Sequence, residues 1–320
     1  MQTYTPKETA EETAWSMFHP LSAEDAAVAA AMRAIVEPHK GLMRGPAARQ
    51  SFDEIMGHVS APAGVTYEPD TVGDVPRWWC RPAMTIRDAA ILYLHGGWYV
   101  WGSAQAYRHL AGQIAARAGA AAFVADYRLA PEYPFPAALL DARVCFQGLA
   151  ARGLQRIAIA GDSAGGGLGL ALLPLAAAQA ASGGVVPVGA VALSPVTDLA
   201  LTGQSWKTRA AADPYFTRSQ AAGQVQMYFG DHDPKDPLTS PLFGDLAGLP
   251  PIRVHVGDDE LLLDDSRRYV ERAIAAGVDA RVDIWQGLPH VFPSSVGRLK
   301  AADQALDAIG TFLSETLAPH

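Results

Sequence analysis

A serine between two glycines is the most chemically suggestive feature of the chain. The segment Gly161-Asp162-Ser163-Ala164-Gly165 follows the apolar run Ile157 to Ala160 and precedes an apolar helical pattern. Small residues at both ends of the segment permit a tight turn from strand to helix, which exposes the serine hydroxyl. The pattern predicts a nucleophile elbow in which Ser163 attacks an acyl carbon, and an ordinary surface turn is the alternative interpretation.

A glycine pair after an earlier apolar run predicts donors for the negative charge of an acyl-transfer intermediate. Ile91 to Leu94 is followed directly by His95-Gly96-Gly97-Trp98. The predicted oxyanion donors are the backbone N–H groups of Gly96, Gly97 and Ala164, with that of Trp98 as a further candidate. Taken alone, the segment would also fit a glycine turn with a capping histidine.

A serine nucleophile needs a general base, and nine histidines compete for that role. Only His290 lies on a loop between the last predicted strand and the last predicted helix. Hydrolases with a nucleophile elbow of this kind carry serine, acid and histidine in that order along the chain, and His290 follows Ser163 as this order requires. We therefore predict His290 as the base.

A carboxylate that orients the histidine would complete a catalytic triad with Ser163 and His290. It is expected after the predicted strand Ile252 to Val256, where several carboxylates stand close together. Its task is to hold the imidazole in one tautomer and to stabilise the imidazolium, and spacing alone does not select a residue for that task. Two of the carboxylates fit the cap and first turn of the next helix instead, namely Asp264 and Asp265. The remaining candidates are Asp258, Asp259 and Glu260.

Short apolar runs alternate with helical patterns along most of the chain, which predicts an α/β fold with a mostly parallel, eight-stranded sheet flanked by helices. The predicted strands are Val65 to Glu68, Arg77 to Arg81, Ala90 to Leu94, Ala122 to Ala125, Ile157 to Ala160, Ala190 to Leu193, Ile252 to Val256 and Arg281 to Ile284. The predicted helices are Gln105 to Arg117, Pro136 to Ala151, Asp264 to Ala276 and Ala301 to Leu317.

Two segments do not fit the alternation and are predicted to form a lid over the carboxyl edge of the sheet. Residues 9–60 show helical patterns, and residues 201–232 are polar and aromatic without strand character. The predicted organisation is an amino-terminal helical cap segment, 1–60, and a catalytic domain, 61–320, of which 201–232 contributes to the cap. Ligands of open α/β sheets bind at this edge.

Composition narrows the classes of protein and partner. The chain is 49% hydrophobic and 18% charged, with a net charge of -8 and no basic run, so nucleic acid is not an expected partner. The polar, acidic start of the chain lacks the pattern of a secretory signal, and a cytoplasmic location is expected.

Cys80 and Cys145 are predicted to be buried thiols. No metal site is expected, because Asp231-His232-Asp233 fits a solvated turn. The uncharged stretch 163–197 is broken by prolines and glycines and predicts sheet core rather than a membrane span.

At these residues the chain resembles the hormone-sensitive lipase family, the bacterial family IV carboxylesterases. The motifs that carry the resemblance are His95-Gly96-Gly97, Asp126-Tyr127-Arg128-Leu129-Ala130-Pro131-Glu132, Gly161-Asp162-Ser163-Ala164-Gly165-Gly166, Asp236-Pro237 with Ser240-Pro241-Leu242, and Pro289-His290. The resemblance implies an α/β-hydrolase core with a helical cap and a serine carboxylesterase that acts without a cofactor on small or medium acyl esters. Its implied partner is a small-molecule ester, and both a monomer and a homodimer stay open.

The resemblance also bears on the acid and on the pocket. The family's Asp-Pro-Leu-x-Asp pattern aligns on Glu260 to Asp264, which makes Glu260 the first candidate for the acid and Asp259 the second. Trp98 stands where the family's loop usually has a third glycine. The candidate aromatic pocket residues, for which core packing is the alternative, are Trp98, Tyr99, Trp101, Trp206, Tyr215 and Phe216.

Three readings of the activity stay open at this point. A carboxylic ester hydrolase is the first. A lactone or amide hydrolase, including one for N-acyl or N-formyl groups, would use the same tetrahedral intermediate. A homologue that binds a small molecule without hydrolysing it is the third, and the presence of His290 argues against it.

Overall fold

The predicted alternation appears as a single mixed sheet covered on both faces by helices, in a computed structural model that describes residues 14–179 and 183–319. The strand order across the sheet is β1-β9-β8-β7-β6-β4-β5-β3-β2. All neighbours are parallel except for β2 with β3 and β3 with β5. The strands are β1 (Ser16–His19), β2 (Val65–Val72), β3 (Val75–Pro82), β4 (Ala89–Leu94), β5 (Ala121–Ala125), β6 (Arg156–Asp162), β7 (Pro187–Leu193), β8 (Ile252–Gly257) and β9 (Ala280–Trp285).

The α-helices of the described residues connect these strands or lie over the sheet's carboxyl edge. They are α1 (Ala23–Val36), α2 (Arg49–Gly57), α3 (Ala104–Ala118), α4 (Ala137–Ala151), α5 (Ser163–Ala177), α6 (Ser205–Thr208), α7 (Arg218–Phe229), α8 (Leu263–Ala275) and α9 (Lys300–Leu317). Helices α3 and α9 pack on one face of the sheet, and α4, α5 and α8 pack on the other.

The central strands bury both faces, which explains their continuous apolar runs. In β4, Ile91 and Tyr93 enter the core under α3 and α9, whereas Leu92 and Leu94 enter the core on the opposite face. Every residue of β4 is buried. The layers therefore fix the carboxyl ends of the strands in one rigid edge.

All eight predicted strands and all four predicted helices are confirmed, with ends that differ by up to four residues. The predicted count of eight strands is wrong by one, because Ser16–His19 forms a ninth strand at the edge next to β9. These four residues lie in the segment predicted to be helical, 9–60. Residues 9–13 of that segment lie outside the described residues, and α1 and α2 account for its helical part.

Two of the contacts between the amino-terminal segment and the carboxyl-terminal part of the fold involve β9 and α9. Strand β1 pairs in parallel with β9, with Ser16 opposite Val282. In α1, the buried Asp25 carboxylate accepts hydrogen bonds from the backbone N–H groups of Lys300 (2.8 Å) and Ala301 (3.0 Å). Asp25 thus supplies the amino-terminal cap that α9 lacks in its own sequence.

Two expectations from composition can be compared with the structure directly. Cys80 and Cys145 are both buried free thiols, as predicted. Within residues 14–179 and 183–319, none of the helices is long and apolar enough to cross a membrane.

Candidate active site

The nucleophile elbow lies where β6 ends and α5 begins. Ser163 has a left-handed backbone conformation, with φ of 52°. This conformation is strained for a residue with a side chain, and such strain is commonly kept at functional sites. The turn needs glycine at Gly165, because a β-carbon there would lie 2.1 Å from the carbonyl oxygen of Leu94. Ser163 therefore lies on a tight, strained turn between a strand and a helix, which is the geometry that a nucleophile elbow requires.

The predicted base and the predicted acid are in direct contact. His290 Nδ1 lies 2.6 Å from Glu260 Oε2, and the two side chains are 7% and 0% exposed. Glu260 also accepts hydrogen bonds from the Gly257 N–H and the Ser194 hydroxyl, both at 2.8 Å. Burial raises the pKa of Glu260, and the charge of His290 together with the hydrogen bonds from His290 and Ser194 opposes that shift. The three donors fix the orientation of the carboxylate toward the imidazole.

Ser194, which the sequence did not single out, connects the acid to the histidine loop. Its hydroxyl donates to Glu260 and accepts a hydrogen bond from the backbone N–H of Val291 at 3.1 Å. Ser194 follows β7 directly and has a positive φ of 47°. In the structure, a positive φ directly after a central strand marks Ser194 as a special position. Its residue type and spacing do not reveal this position in the sequence.

The electrostatics of His290 suit a general base. Burial alone would lower the pKa of His290, but the charge of Glu260 and its hydrogen bond, followed by the charges of Asp213 and Asp162, hold that pKa above its usual range. Nδ1 faces the carboxylate, so the imidazole proton resides there and Nε2 is left to accept a proton. The tautomer is therefore the one that a serine nucleophile requires.

The other carboxylates after β8 are directed elsewhere. Asp259, the second candidate for the acid, pairs with Arg33 of α1 at 2.7 Å. Asp264 accepts from the Ser205 N–H, and Asp265 accepts from the Thr197 N–H, each at 2.8 Å. Glu260 is therefore the carboxylate that contacts His290, whereas Asp259 connects α1 to the loop that follows β8.

Asp213 is a further buried carboxylate that the sequence analysis missed. Its Oδ1 accepts hydrogen bonds from the N–H groups of Tyr215 and Phe216, and its Oδ2 accepts from the Leu261 N–H at 3.0 Å. It therefore links the segment before α7 to the residue that follows Glu260. One consequence is that the Phe216 ring lies edge-on to His290, with ring centroids 5.1 Å apart.

The hydrogen bonds of the loop after β4 show that one predicted oxyanion donor was wrong. The N–H of Gly96 donates to Asp162 Oδ1 at 3.0 Å, so that group is already occupied and Gly96 was wrongly chosen. The N–H groups of Gly97 and Trp98 donate to no protein acceptor among the described residues. Ala164 lies in the first turn of α5, where N–H groups have no intrahelical acceptor. The remaining candidate donors are therefore Gly97, Trp98 and Ala164.

Asp162 holds this loop against the elbow. Its carboxylate is 1% exposed and accepts hydrogen bonds from the Tyr93 hydroxyl (2.9 Å) and the Tyr107 hydroxyl (3.1 Å) besides the Gly96 N–H. Burial raises the pKa of Asp162 to about 6, although these three donors oppose the shift. The signal for its role was an acidic residue at the end of an otherwise apolar strand.

One cavity of about 730 Å³ contains Ser163 and His290 in its lining. Of the predicted aromatic pocket residues, Trp98, Trp101, Tyr215 and Phe216 also line it. Tyr99 and Trp206 lie outside the lining, because Tyr99 stacks on Tyr228 at 3.8 Å and Trp206 packs behind Trp98. Most of the remaining lining comes from the amino-terminal segment, namely Ile35, Val36, His39, Gly41, Leu42, Met43, Arg44, Ala47, Ala48, Ser51, Phe52, Ile55 and Met56.

The site residues come from the carboxyl ends of several parallel strands, which is where open α/β sheets place their ligands. The oxyanion loop follows β4, Ser163 follows β6, Glu260 follows β8 and His290 follows β9. Within residues 14–179 and 183–319, no group of three or more metal-ligating side chains is close enough to hold an ion. The arrangement supports acyl transfer by a serine, a histidine and a carboxylate.

Comparison with known proteins agrees with this geometry. The model of the α/β hydrolase fold family matches residues 91–294. An acetyl-hydrolase of Streptomyces hygroscopicus is 38% identical over 262 residues, covering 81% of this chain and 85% of that protein. An ethyl acetate hydrolase of Pseudomonas putida is 30% identical over 292 residues, covering 84% and 90%.

A solved structure extends the likeness to the whole fold. The crystal structure of an esterase from the bacterial hormone-sensitive lipase family is 37% identical, with a TM-score of 0.82 over 93% of this chain and 99% of that chain. The resemblance expected from the motifs is therefore confirmed. This chain belongs to the hormone-sensitive lipase family of esterases, within the α/β hydrolases.

Proposed function

We propose that the chain is a serine carboxylesterase that hydrolyses esters of small or medium acyl groups. The observation that carries the proposal is the buried contact of 2.6 Å between Glu260 and His290, which lies beside an apolar cavity lined by both His290 and Ser163. A base with this tautomer, in the same cavity as a serine on a strained elbow, is the machinery that acyl transfer needs.

The chemistry runs in two halves. His290 Nε2 takes the Ser163 proton while the serine oxygen attacks the ester carbonyl carbon. The resulting oxyanion accepts hydrogen bonds from the N–H groups of Gly97, Trp98 and Ala164. Collapse of this intermediate breaks the bond to the alcohol oxygen, to which His290 delivers its proton. Water then attacks the acyl-enzyme by the same proton path, which releases the carboxylic acid and restores Ser163.

The relatives support the proposed acyl size, and the cavity supports an uncharged substrate. Two relatives bear the names acetyl-hydrolase and ethyl acetate hydrolase, which supports small acyl groups for this chain. The cavity lining is mainly apolar, which suits an uncharged ester better than a charged one.

We also propose that residues 1–60, together with 201–232, act as a cap on the catalytic domain formed by 61–320. The described part of the first segment supplies cavity lining from α1 through α2, and the second supplies Tyr215, Phe216 and Gln220. Arg49 holds α2 to the core through hydrogen bonds to the carbonyl oxygens of Val100 (2.8 Å) and Ala130 (2.9 Å). Substrate therefore binds between these segments and the sheet edge.

The test is the hydrolysis rate across 4-nitrophenyl esters of increasing acyl length, for the wild type, Ser163→Ala and Ser51→Ala. Ser51 also lines the cavity, on α2, and serves as a matched serine control. We expect turnover that peaks at short or medium chains, vanishes in Ser163→Ala and persists in Ser51→Ala. A folded wild type without activity on any ester, or a fully active Ser163→Ala variant, would contradict the proposal.

A further inference from the structure

Trp98 has a backbone conformation that disfavours a large side chain. It follows Gly97 in the oxyanion loop with a positive φ of 55°, in the left-handed region. Residues with a β-carbon are uncommon there, and a bulky one costs more than glycine would. Its side chain is 1% exposed. The indole is therefore held inside the protein at a position where glycine would be the easier residue.

The indole carries a second unfavourable feature. Its Nε1–H is buried and has no hydrogen-bond acceptor among the described residues. Buried donors without acceptors are rare and destabilising, and both they and strained backbone tend to persist where function requires them. The two features occur together on a residue whose own backbone N–H is a proposed oxyanion donor. The indoles of Trp78 and Trp206 share the unpaired donor, so it is the combination with the left-handed backbone that sets Trp98 apart.

The contacts of the indole show what it does to the shape of the site. It meets Phe216 edge-on, with ring centroids 5.4 Å apart, and Phe216 in turn meets His290 at 5.1 Å. Trp206 packs behind it at 6.5 Å between centroids. The indole and Phe216 thus form a continuous aromatic wall from the loop after β4 to His290. Trp206 limits movement of the indole away from the cavity.

The rest of the cavity is roomy by comparison. Its volume of about 730 Å³ lies within the range that holds drug-sized ligands, far more than an acetyl ester of a small alcohol fills. The open part is lined by apolar residues of α2, including Phe52, Ile55 and Met56. The cavity is therefore bordered by the aromatic wall of Trp98 and Phe216 and by an apolar chamber under α2.

We propose that Trp98 is a specificity-determining residue that restricts the acyl group to short chains, and that the chamber under α2 receives a bulky apolar alcohol. The substrate class is then acetate and similarly short esters of large apolar alcohols, which water converts into the short acid and the free alcohol. This inference rests on the proposed ester hydrolysis and deepens it. The acyl group is assigned to the side of Trp98 because the proposed acyl group is small, and the aromatic wall with Trp206 packed against it limits the room there.

Two substrate series test the two sides separately. The first varies the acyl group from acetate to octanoate on 4-nitrophenol, and the second varies the alcohol from ethyl to 1-naphthylmethyl acetate. In the wild type, kcat/KM should fall at least tenfold from acetate to hexanoate in the first series. It should rise at least tenfold from ethyl to 1-naphthylmethyl acetate in the second.

Variants of Trp98 and Phe52 provide reciprocal controls. Trp98→Ala and Trp98→Gly should each raise the ratio of hexanoate to acetate kcat/KM at least tenfold and leave the alcohol dependence within threefold. Phe52→Ala should do the reverse, by weakening the preference for the large alcohol alone. Trp98→Ala keeps the β-carbon at positive φ, so agreement between it and Trp98→Gly assigns the effect to indole volume rather than to a freed backbone. Trp98→Phe, with a smaller ring, carries the same comparison if the alanine variant does not fold.

The outcomes separate this inference from the proposed function. If the wild type hydrolyses no ester, the proposed function fails. If Ser163-dependent hydrolysis is present but the Trp98 variants leave the acyl-length ratio unchanged, the assignment of Trp98 is overturned while the esterase stands. A change confined to the alcohol series in those variants would also overturn it, because the indole would then border the leaving group.

Discussion

Replacing Glu260 with glutamine tests the triad most sharply, because the side chain keeps its size and loses its charge. Glu260 is fully buried and accepts three hydrogen bonds, from His290, Ser194 and Gly257. A glutamine can keep two of them through its carbonyl oxygen. Its NH₂ group then faces His290 Nδ1, which must accept rather than donate, so the imidazole proton moves to Nε2.

An imidazole with its proton on Nε2 cannot take the Ser163 proton, and this loss determines the size of the expected fall in kcat. The same change in serine proteases lowers kcat about 10⁴-fold. We expect Glu260→Gln to lower kcat by about 10³- to 10⁴-fold, which is about 4 to 5.5 kcal/mol of transition-state stabilisation. Near-ultraviolet circular dichroism of the variant should match the wild type, since the replacement is isosteric.

The pH profile gives a second, independent readout. His290 is active only when neutral, so kcat/KM falls as the pH drops through its pKa. The Glu260 carboxylate holds that pKa above its usual range, which places the acidic limb of the wild-type profile at a correspondingly higher pH. Removing the charge should therefore move the limb of the residual activity to lower pH.

The matched control is Asp259→Asn, which removes the neighbouring charge. Asp259 faces Arg33 rather than His290, and we expect kcat within about threefold of the wild type. A Glu260→Gln variant that keeps more than a tenth of the wild-type kcat would refute the assignment of the acid. So would an Asp259→Asn variant as impaired as Glu260→Gln.

Further predictions concern the elbow and the cap. Gly165→Ala should destabilise the fold by more than about 4 kcal/mol or prevent folding, because its β-carbon would collide with the carbonyl oxygens of Leu94 and His95. The control is Gly223→Ala, which lies on the exposed part of α7 with open space around it. Denaturant melts of this control should show a gain in unfolding free energy of about 0.5 to 1 kcal/mol. Arg49→Ala should lower the unfolding free energy by about 1 to 3 kcal/mol, since it removes hydrogen bonds to Val100 and Ala130 as well as the ion pair with Glu132. Glu132→Gln removes only that half-exposed ion pair and should cost less than about 1 kcal/mol in the same melts, and equal losses in the two variants would show that the carbonyl contacts contribute nothing.

The fold was predictable from sequence wherever an apolar run was long enough to be buried on both sides. Strands such as β4 and β6 met that condition, and their predicted positions were confirmed. Strand β1 did not, because its four residues are only partly buried and pair with a single neighbour. What makes Ser16–His19 a strand is the free edge of β9, which local sequence does not contain.

The site shows the same division between local pattern and long-range contact. Ser163 and His290 were predicted from the elbow motif and from chain order. Gly96 was wrongly predicted as an oxyanion donor because its N–H is taken by Asp162, whose carboxylate lies 66 residues further along the chain. The roles of Ser194 and Asp213 likewise depend on partners brought together only by the folded sheet edge.

The attachment of the first described segment to the last strand and helix has a consequence for synthesis on the ribosome. Ser16 pairs opposite Val282, and Asp25 caps α9 at Lys300. At about 5 to 20 residues per second, β1 therefore waits roughly 13 to 50 seconds for its partner strand. By the time Ser163, Glu260 and His290 have all emerged, α1 still lacks the helix that its Asp25 will cap. We expect α1 to dock only after β9 and α9 have been made, whereas α2 can attach earlier through the contacts of Arg49 with Val100 and Ala130.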